Sequence, residues 1–287
     1  MTYKIFGLKS DQCERLGLGI FDGYHLGHQK LAESCSHLLT FWPHPDIMLN
    51  KNPSLTMLST LRELRYYQKK LLVLRFDKNL AKFTALQFLN EIIYKKLKPK
   101  AIVVGYDFHF GFQKQGNFDF IKEWAKEFQI EVIKVKPVCY QDHFVKSSLI
   151  RKFFAENNFQ DAVNFLGHSY LMIGKVIQGE GRGRQLGFPT ANLQLPNYKL
   201  VPRNGIYKGK VLIDNKFYKA LIYIGNKPTF RKNFYKNIEV YILDFSADIY
   251  NKQLKVFLEA KIREEIAFTN AHDLIKQIKQ DLTFVAS

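Results

Sequence analysis

The stretch "GLGIFDGYHLGHQKL", residues 17–31, joins an apolar run to a helix-like run through a glycine-rich turn. "LGLGIF" (16–21) predicts a strand that ends at glycine, and "HQKLAESCSHLL" (28–39) predicts the helix that follows it. A strand followed directly by a helix is the first half of a βαβ unit, whose two strands lie parallel. This stretch therefore predicts the start of an α/β domain.

The rest of the first half repeats the alternation. Short apolar runs predict buried strands: "HLLTFW" (37–42), "KLLVLRF" (70–76) and "KAIVVGYDF" (100–108). "TALQFLNEIIYKKL" (84–97) predicts a helix, and "FDFIKEWAKEFQIEVIKV" (118–135) predicts a helix followed by a strand. Strands that alternate with helices predict a parallel sheet with both faces covered.

From Tyr170 onward the chain changes to short strand-like runs bounded by Gly, Pro, Asn or Asp. These runs are "YLMIGKVI" (170–177), "GIYKGKVLI" (205–213), "KFYKALIYIG" (216–225), "NIEVYILDF" (237–245) and "QLKVFLEAKI" (253–262). Their spacing predicts a barrel or a sandwich, and "NAHDLIKQIKQDL" (270–282) predicts a closing amphipathic helix. The change of pattern predicts two domains, residues 1–166 and 167–287.

The composition describes a globular protein. Of the 287 residues, 46% are hydrophobic and 15% aromatic, which excludes a disordered chain. The apolar runs are too short to span a bilayer, and the first residues lack the long apolar segment of a secretory signal. The three cysteines are far apart, with no pair at metal-ligand or redox spacing. We expect a cytoplasmic protein with no membrane partner.

The formal charge of +17 raises nucleic acid as a partner, because basic surfaces attract phosphate of any origin. The basic residues are spread over both halves, however, with no basic tail. An evenly distributed positive charge suits anionic small substrates equally well. Charge alone does not decide between these classes.

His25 and His28 open the helix that follows the first glycine turn, three residues apart, with Gly27 between them. Histidines at this spacing lie on one face of a turn, and the glycine allows a phosphate to approach the main chain. The arrangement suits the phosphates of a nucleotide during transfer. The alternative for an isolated HxxH is a zinc-binding pair or two surface histidines. The preceding strand and "FDG" favour the phosphate hypothesis.

"VVGYDFHFG" (103–111) places Gly105 and Asp107 where a predicted strand ends. In open α/β sheets, ligands bind outside the carboxyl ends of the strands. The pair is therefore a second candidate element of the nucleotide site, although any strand end could carry such residues.

"GKVIQGEGRGRQLGFPTAN" (174–192) predicts a phosphate cradle in the second half. Its glycines permit close main-chain approach and its arginines supply positive charge: Gly179, Gly181, Gly183, Arg182 and Arg184. Thr190 and Asn192 point to the same side if the chain there is extended, so both could hold Mg²⁺ beside the phosphates. The alternative is a solvated basic loop or an RNA contact.

Glu239 is the lone acid in the apolar run "NIEVYIL" (237–243). An unpaired carboxylate in such a strand is costly, so a role in a cleft is indicated. There it could act as the general base for a hydroxyl nucleophile. The alternative is a surface glutamate on an edge strand.

Together these motifs resemble one family, the prokaryotic bifunctional riboflavin kinase/FMN adenylyltransferases, also called FAD synthetases. The resemblance runs in order along nearly the whole chain, through "FDGYHLGH", "TFWPHP", "GYDFHFG", "LGHSYLMIGKV", "GRGRQLGFPTANL", "IGNKPTF", "IEVYILDF" and "IREEIAF". It implies a Rossmann-like nucleotidyltransferase domain followed by a six-stranded β-barrel kinase domain with a terminal helix. It also implies phosphorylation of riboflavin by ATP to FMN, then adenylylation of FMN to FAD with release of pyrophosphate.

The resemblance also assigns roles to single residues. His25, His28 and Glu239 would be catalytic, the histidines in adenylyl transfer and the glutamate in the kinase. ATP for adenylyl transfer would contact Gly19, Phe21, Asp22, Gly23, Gly27, Gly105, Asp107 and Arg151. ATP for the kinase would contact Gly174, Lys175, Gly179, Gly181, Arg182, Gly183, Arg184 and Thr190. Flavin would contact Phe188, Pro189, Arg263 and Phe268, and Mg²⁺ would bind Thr190 and Asn192.

The first half departs from the family pattern at four positions. Ile20 stands where asparagine is usual and Lys114 where arginine is common. In "KSSLIR" (146–151), Lys146 replaces a serine and Leu149 an arginine. That segment normally holds ATP phosphates, so a riboflavin kinase with a weakened or repurposed nucleotidyltransferase domain is the alternative. We expect riboflavin, FMN and ATP as ligands, no nucleic acid, and a monomer or weak homo-oligomer.

Overall fold

The structure, a computed structural model, describes residues 4–7, 13–226 and 236–286. The chain divides by its internal contacts into two compact units. The first comprises residues 1–57 and 64–147, and the second comprises residues 58–63 and 148–287. Residues 58–63 and 148–166 thus group with the second half of the chain. The boundary between residues 166 and 167 stays a prediction from the pattern of the sequence.

The first unit is built on a six-stranded sheet of order β1-β4-β3-β2-β5-β6. Its strands are β1 (Ile5–Phe6), β2 (Arg15–Leu18), β3 (His37–Trp42), β4 (Leu71–Arg75), β5 (Ala101–Gly105) and β6 (Glu131–Val135). Only β1 at the edge is antiparallel to its neighbour; all other pairs are parallel. A small hairpin, β7 (Cys139–Tyr140) and β8 (His143–Phe144), follows.

Helices connect these strands, as the alternation predicts. They are α1 (Leu26–Ala32), α2 (Pro45–Met48), α3 (Leu61–Tyr67), α4 (Ala85–Phe88), which continues as a π-helix over Leu89–Leu97, and α5 (Phe118–Glu127). Short 3₁₀ turns lie at Leu80–Lys82 and Phe112–Lys114. The helix predicted over residues 28–39 was too long: α1 ends at Ala32, and His37 already begins β3. Leu38 and Leu39 are fully buried, because both faces of a parallel strand are covered.

The second unit is built on a closed antiparallel barrel of order β10-β13-β12-β11-β14-β9. Its strands are β9 (Tyr170–Ile177), β10 (Thr190–Gln194), β11 (Gly205–Ile213), β12 (Lys216–Asn226), β13 (Lys236–Ile242) and β14 (Gln253–Arg263). Its helices are α6 (Ser147–Ala155), which begins at the last residue of the first unit, α7 (Phe159–Leu166), α8 (Arg182–Gln185) and α9 (Ala271–Ala286). The predicted strands and terminal helix are confirmed. Of the motif "IGNKPTF", residues 227–230 lie outside the described residues.

The two faces of the barrel strands differ, and this difference positions the site. In β13, Ile238, Val240 and Ile242 are buried, while the alternate residues are half-buried on the opposite face. Successive side chains of a strand point to opposite faces. α9 packs against this opposite face through Ile278, Leu282 and Val285. Groups from the outer face of the barrel can therefore line a cleft beside α9.

Candidate active sites

The first candidate site lies where the connections of the parallel sheet change direction. From β2 the chain proceeds to β3 and β4 on one side, whereas β5 and β6 lie on the other side of β2. β2 and β5 are direct neighbours, with Leu18 opposite Val104. In open parallel sheets, ligands bind in the crevice at this point, outside the carboxyl ends of the strands. The predicted residues after β2 and after β5 are thus brought to one edge.

His25 caps helix α1. Its backbone is extended, and its ring nitrogen Nδ1 accepts a hydrogen bond of 3.4 Å from the main-chain N–H of His28. This is the bond that a Ser or Asp side chain usually accepts at a helix start. Because Nδ1 accepts, the ring proton of a neutral His25 resides on Nε2, which could donate to a phosphate oxygen.

His28 stacks directly on His25, with ring centroids 3.6 Å apart and an angle of 17° between the ring planes. Phe21 contacts the same ring edge-on at 5.4 Å. Burial, and then the neighbouring charge of His25, lower the pKa of His28 well below its ordinary value of 6.5. The buried Nδ1 atom of His28 has no hydrogen-bond partner among the described residues. His28 is therefore a neutral ring at pH 7, with polar capacity left for a ligand.

We expect the His28→Asn variant to lose less stability than the wild type between pH 7 and pH 5. In the unfolded chain a histidine binds a proton near pH 6.5, whereas folded His28 resists protonation. The unfolded state therefore binds more protons below pH 6.5, and the free energy of unfolding falls as the pH falls. Asparagine does not titrate, so the free energy of unfolding of the variant should depend less on pH.

Urea unfolding at pH 7.5, 6.0 and 5.0 measures this difference. His143→Asn is the matched control, because His143 is an exposed histidine of the same unit. If the urea midpoint of the His28→Asn variant falls with pH as steeply as that of the wild type, His28 is not a buried histidine that resists protonation.

Asp107 and Lys146 lie at the same edge of the sheet. Asp107 follows β5, and its Oδ1 lies 3.7 Å from the position that a Cβ atom on Gly105 would occupy. The Nζ atom of Lys146 lies 5.5 Å from the centroid of the Tyr106 ring. The Tyr106 hydroxyl first, and the Asp107 carboxylate second, raise the pKa of Lys146. Lys146 thus brings a permanent positive charge to this edge.

Ser147 connects the "KSS" segment to the first glycine turn. Its hydroxyl donates a hydrogen bond of 2.8 Å to the main-chain oxygen of Asp22. Asp22 itself is only 2% exposed. Gly19, Phe21 and Gly23 lie along the same turn, and Gly27 lies in the first turn of α1. Arg151, also predicted for this site, lies in the part of α6 that belongs to the second unit, and its role stays a prediction.

Two cavities in the second unit meet at Thr190. The helix cavity, of about 290 Å³, lies between the outer face of the barrel and α9. The loop cavity, of about 380 Å³, lies against the connection after β13, residues 245–250. Thr190 lines both of them. The two cavities are therefore adjacent, with Thr190 in the wall of each.

Glu239 lines the helix cavity and is held by two donors. The Thr190 hydroxyl donates to its Oε2 atom at 2.9 Å, and the Asn237 amide donates to its Oε1 atom at 2.8 Å. The alternative of an unpaired surface glutamate on an edge strand does not fit this geometry, because β13 is paired on both sides in a closed barrel. The hydrogen bonds offset the cost of burying the carboxylate.

The glycine-rich segment packs its bare main chain against the threonine and asparagine. A Cβ atom on Gly183 would lie 3.3 Å from the Thr190 hydroxyl, and one on Gly179 would lie 2.0 Å from the Asn192 amide nitrogen. Glycine is required at both positions, because a side chain would collide with Asn192 at residue 179 and with the main-chain oxygen of Phe188 at residue 183. Thr190 and Asn192 lie two apart in extended β10, as the hypothesis required. Gly181 has a φ of +73° and caps the single turn α8.

The predicted flavin and phosphate residues are divided between the two cavities. Gly183, Arg182, Phe188, Arg263 and Phe268 line the helix cavity. Arg184 and Pro189 line the loop cavity. Gly174 and Lys175 line neither; they lie in β9, where a Cβ atom on Gly174 would come within 2.6 Å of the main-chain oxygen of Gln194.

Several residues of this site were missed from the sequence. Asp281 on α9 is buried and accepts from the guanidinium of Arg263 at 2.7 and 2.9 Å. Tyr223 and Glu265 also line the helix cavity, and the Tyr223 hydroxyl donates to Glu265. Asn237 was overlooked too, although its position two residues before Glu239 in a strand places it on the same face.

Comparison with known proteins agrees with this geometry. The riboflavin kinase family model matches residues 166–287, and the FAD synthetase family model matches residues 8–149. The bifunctional riboflavin kinase/FMN adenylyltransferase of Buchnera aphidicola (from Acyrthosiphon pisum) is 35% identical, over 93% of this chain and 91% of its own. The chain belongs to the bifunctional riboflavin kinase/FMN adenylyltransferase family. The Escherichia coli K12 member of this family is 31% identical, over 93% of this chain and 90% of its own.

A solved structure shares both units of the fold. A crystal structure described as a macrolide-efflux protein from Streptococcus pneumoniae superposes with a TM-score of 0.85 at 30% identity, covering 97% of this chain and 95% of that one. In the described part of the present chain, every helix is too short or too polar to cross a membrane. Membership of this family, whose enzymes act in flavin cofactor biosynthesis, confirms the enzyme class predicted from the sequence. The parallel sheet and the closed barrel confirm the predicted fold.

Proposed function

We propose that the second unit transfers the γ-phosphoryl group of ATP to riboflavin. The helix cavity, with the rings of Phe188, Tyr241 and Phe268 in its walls, suits the flat aromatic ring of a flavin. The loop cavity would receive the nucleotide. The observation that carries the proposal is that the two cavities meet at Thr190, beside the carboxylate of Glu239.

Glu239 acts as the general base in this reaction. It accepts the proton of the terminal ribityl hydroxyl, whose oxygen attacks the γ-phosphorus of ATP. The bond from that phosphorus to the bridging oxygen breaks, and ADP leaves. The Thr190 hydroxyl can donate to Glu239 and still offer its lone pairs to a cation, because a hydroxyl is one donor and two acceptors.

Thr190 and Asn192 would hold Mg²⁺ with the phosphates. The described residues contain no cluster of three His, Cys, Asp or Glu side chains that could form a protein-only metal site. Mg²⁺ fits the two neutral oxygen groups, since it keeps several waters and takes other ligands from nucleotide phosphates. When bound, it would neutralise charge on the phosphates. The close approach of the Gly179 main chain to Asn192 and of the Gly183 main chain to Thr190 supports this arrangement.

The first unit would join FMN to the adenylyl group of a second ATP. A phosphate oxygen of FMN attacks the α-phosphorus, and pyrophosphate leaves. His25 and the neutral ring of His28 would donate hydrogen bonds to the phosphates, and Lys146 would supply positive charge. Catalysis would rest on positioning and electrostatics, with no covalent enzyme intermediate.

Incubation with riboflavin and Mg²⁺-ATP, followed by chromatography of riboflavin, FMN and FAD, tests both steps. We expect FMN and then FAD to accumulate. If FMN accumulates but no FAD forms, even over hours at high enzyme concentration, the protein is a riboflavin kinase without adenylyltransferase activity. No FMN from riboflavin would overturn the kinase proposal.

We expect the Lys146→Ala variant to form FAD from supplied FMN about 30-fold or more slowly, while FMN formation is unchanged. A lost charge-assisted contact to a developing pyrophosphate costs on the order of 2 kcal/mol or more. Lys146→Arg should retain or raise the rate, because arginine can bind phosphate with two donors.

Lys126→Ala is the matched control, because Lys126 is an exposed lysine of the same unit that pairs with Glu123 on α5. If the Lys146→Ala variant forms FAD as fast as the control variant, Lys146 has no role in adenylyl transfer.

A further inference from the structure

The outer face of β13 carries a row of three side chains, two of which line the helix cavity. Asn237, Glu239 and Tyr241 alternate with the buried residues Ile238 and Val240. Glu239 and Tyr241 line the cavity, and Asn237 lies at the next position of the row. The strand therefore sets an amide directly beside the carboxylate.

The contact of the Asn237 amide with Glu239 has a definite direction. Its Nδ2 atom lies 2.8 Å from Oε1 of Glu239. If the amide were rotated, its own oxygen would face a carboxylate oxygen at that distance, and two acceptors would repel each other. The amide is thus a donor to Glu239.

The two carboxylate oxygens are anchored from different strands. Thr190 on β10 holds Oε2 and Asn237 on β13 holds Oε1. With one anchor the carboxylate could still turn about its last side-chain bond; with two, its plane is fixed. A carboxylate can accept about four hydrogen bonds, so each oxygen keeps capacity for a substrate hydroxyl.

The Tyr223 hydroxyl cannot take over this role. Tyr223 pairs with Glu239 across β12 and β13, but its hydroxyl donates to Glu265. Asn192 pairs with Glu239 from the other side, and its amide nitrogen lies against Gly179. Among the described hydrogen bonds to Glu239, the side-chain donors are Thr190 and Asn237.

We propose that Asn237 is a positioning residue of the kinase, which holds the carboxylate of Glu239 in the orientation that accepts the proton of the substrate hydroxyl. This role rests on the proposed phosphorylation of riboflavin. Asn237 acts through Glu239 rather than on the substrate.

The first test is the kinetics of Asn237→Ala. We expect kcat for FMN formation to fall about tenfold, the scale of one hydrogen bond to a charged group. KM for riboflavin should change little, because Asn237 orients the base and does not bind the substrate. Asn237→Gln, which keeps an amide donor, should recover part of the rate. FAD formation from supplied FMN should be unaffected.

A double-variant cycle separates positioning from structure. In the Glu239→Gln background, Asn237→Ala should have almost no further effect on the residual rate. Gln194→Ala, an exposed residue at the end of β10, is the control and should match the wild type.

Two results would overturn the proposal: an Asn237→Ala enzyme with wild-type kcat, or the same fold loss of kcat in the wild-type and Glu239→Gln backgrounds. If Asn237→Ala fails to fold, Asn237→Gln and Asn237→Ser carry the same cycle. If the wild-type protein makes no FMN, the proposed kinase function itself is wrong, and this result is distinct from the two results that concern Asn237.

Discussion

Replacing Glu239 by glutamine is expected to slow FMN formation by about 100-fold or more, the usual scale for a lost general base. Glutamine has nearly the same shape. Its amide oxygen can accept from Asn237, and its amide nitrogen can donate to Thr190, because the hydroxyl can also accept. The surrounding hydrogen bonds can therefore survive, and the loss reports the missing base rather than a misfolded barrel.

Initial rates of FMN formation from riboflavin, with thermal unfolding of the same samples, measure this effect. Glu259→Gln is the matched control, since Glu259 is a glutamate of β14 paired with Lys210 on the barrel surface. FAD formation from supplied FMN should continue in both variants. Kinase turnover within a few-fold of the wild type in Glu239→Gln would exclude Glu239 as the base.

Replacing Glu63 by leucine is expected to destabilise the second unit by about 3–5 kcal/mol, the cost of leaving one buried charge without its partner. The Lys199 ammonium donates to Oε2 of Glu63 at 2.9 Å and to the main-chain oxygens of Leu58 and Leu171 at 2.6 and 2.8 Å. Both side chains have no solvent exposure. Oε1 of Glu63 also accepts from the main-chain N–H of Ile173 in β9.

The double variant Glu63→Leu/Lys199→Met should recover part of this loss, because an apolar pair leaves no buried charge. The recovery is partial because the main-chain groups of Leu58, Leu171 and Ile173 lose their hydrogen-bond partners. Urea unfolding of the full chain measures both variants. Glu156→Gln is the control: it breaks the exposed pair of Lys152 and Glu156 and should cost less than about 1 kcal/mol. A Glu63→Leu loss as small as that of the control would contradict the burial of an ion pair.

The division of the chain into two units shows what local sequence patterns can predict and what they cannot. The change from alternating helices and strands to short strands is visible near Gly167, because each half has its own periodicity. Residues 58–63 group with the second unit although they lie within the matched range of the FAD synthetase family model. Their link to β9 and Lys199 is made by one glutamate, and no local pattern marks a charge whose partner lies 136 residues away.

The candidate sites show the same limit at the level of single residues. Glu239 stood out because an acid in an apolar strand requires a reason. The burial that keeps His28 neutral could not be read from the HxxH spacing, because it depends on how the rings of His25 and Phe21 pack against His28. Asp281 and Asn237 gave no signal of their own, since an acid on an amphipathic helix and an amide in a strand are usually solvated.

The sequence by itself determined the two classes of fold, the order of nearly every element and the types of residue that the chemistry requires. These follow from local periodicity, turn residues and short motifs, which act over a few neighbouring positions. Only the tertiary structure decided which groups meet: Thr190 with Glu239, Arg263 with Asp281 and Lys199 with Glu63. Closure of the barrel and burial of charge set these pairs, because a buried polar group must find its partner in space, wherever that partner lies along the chain.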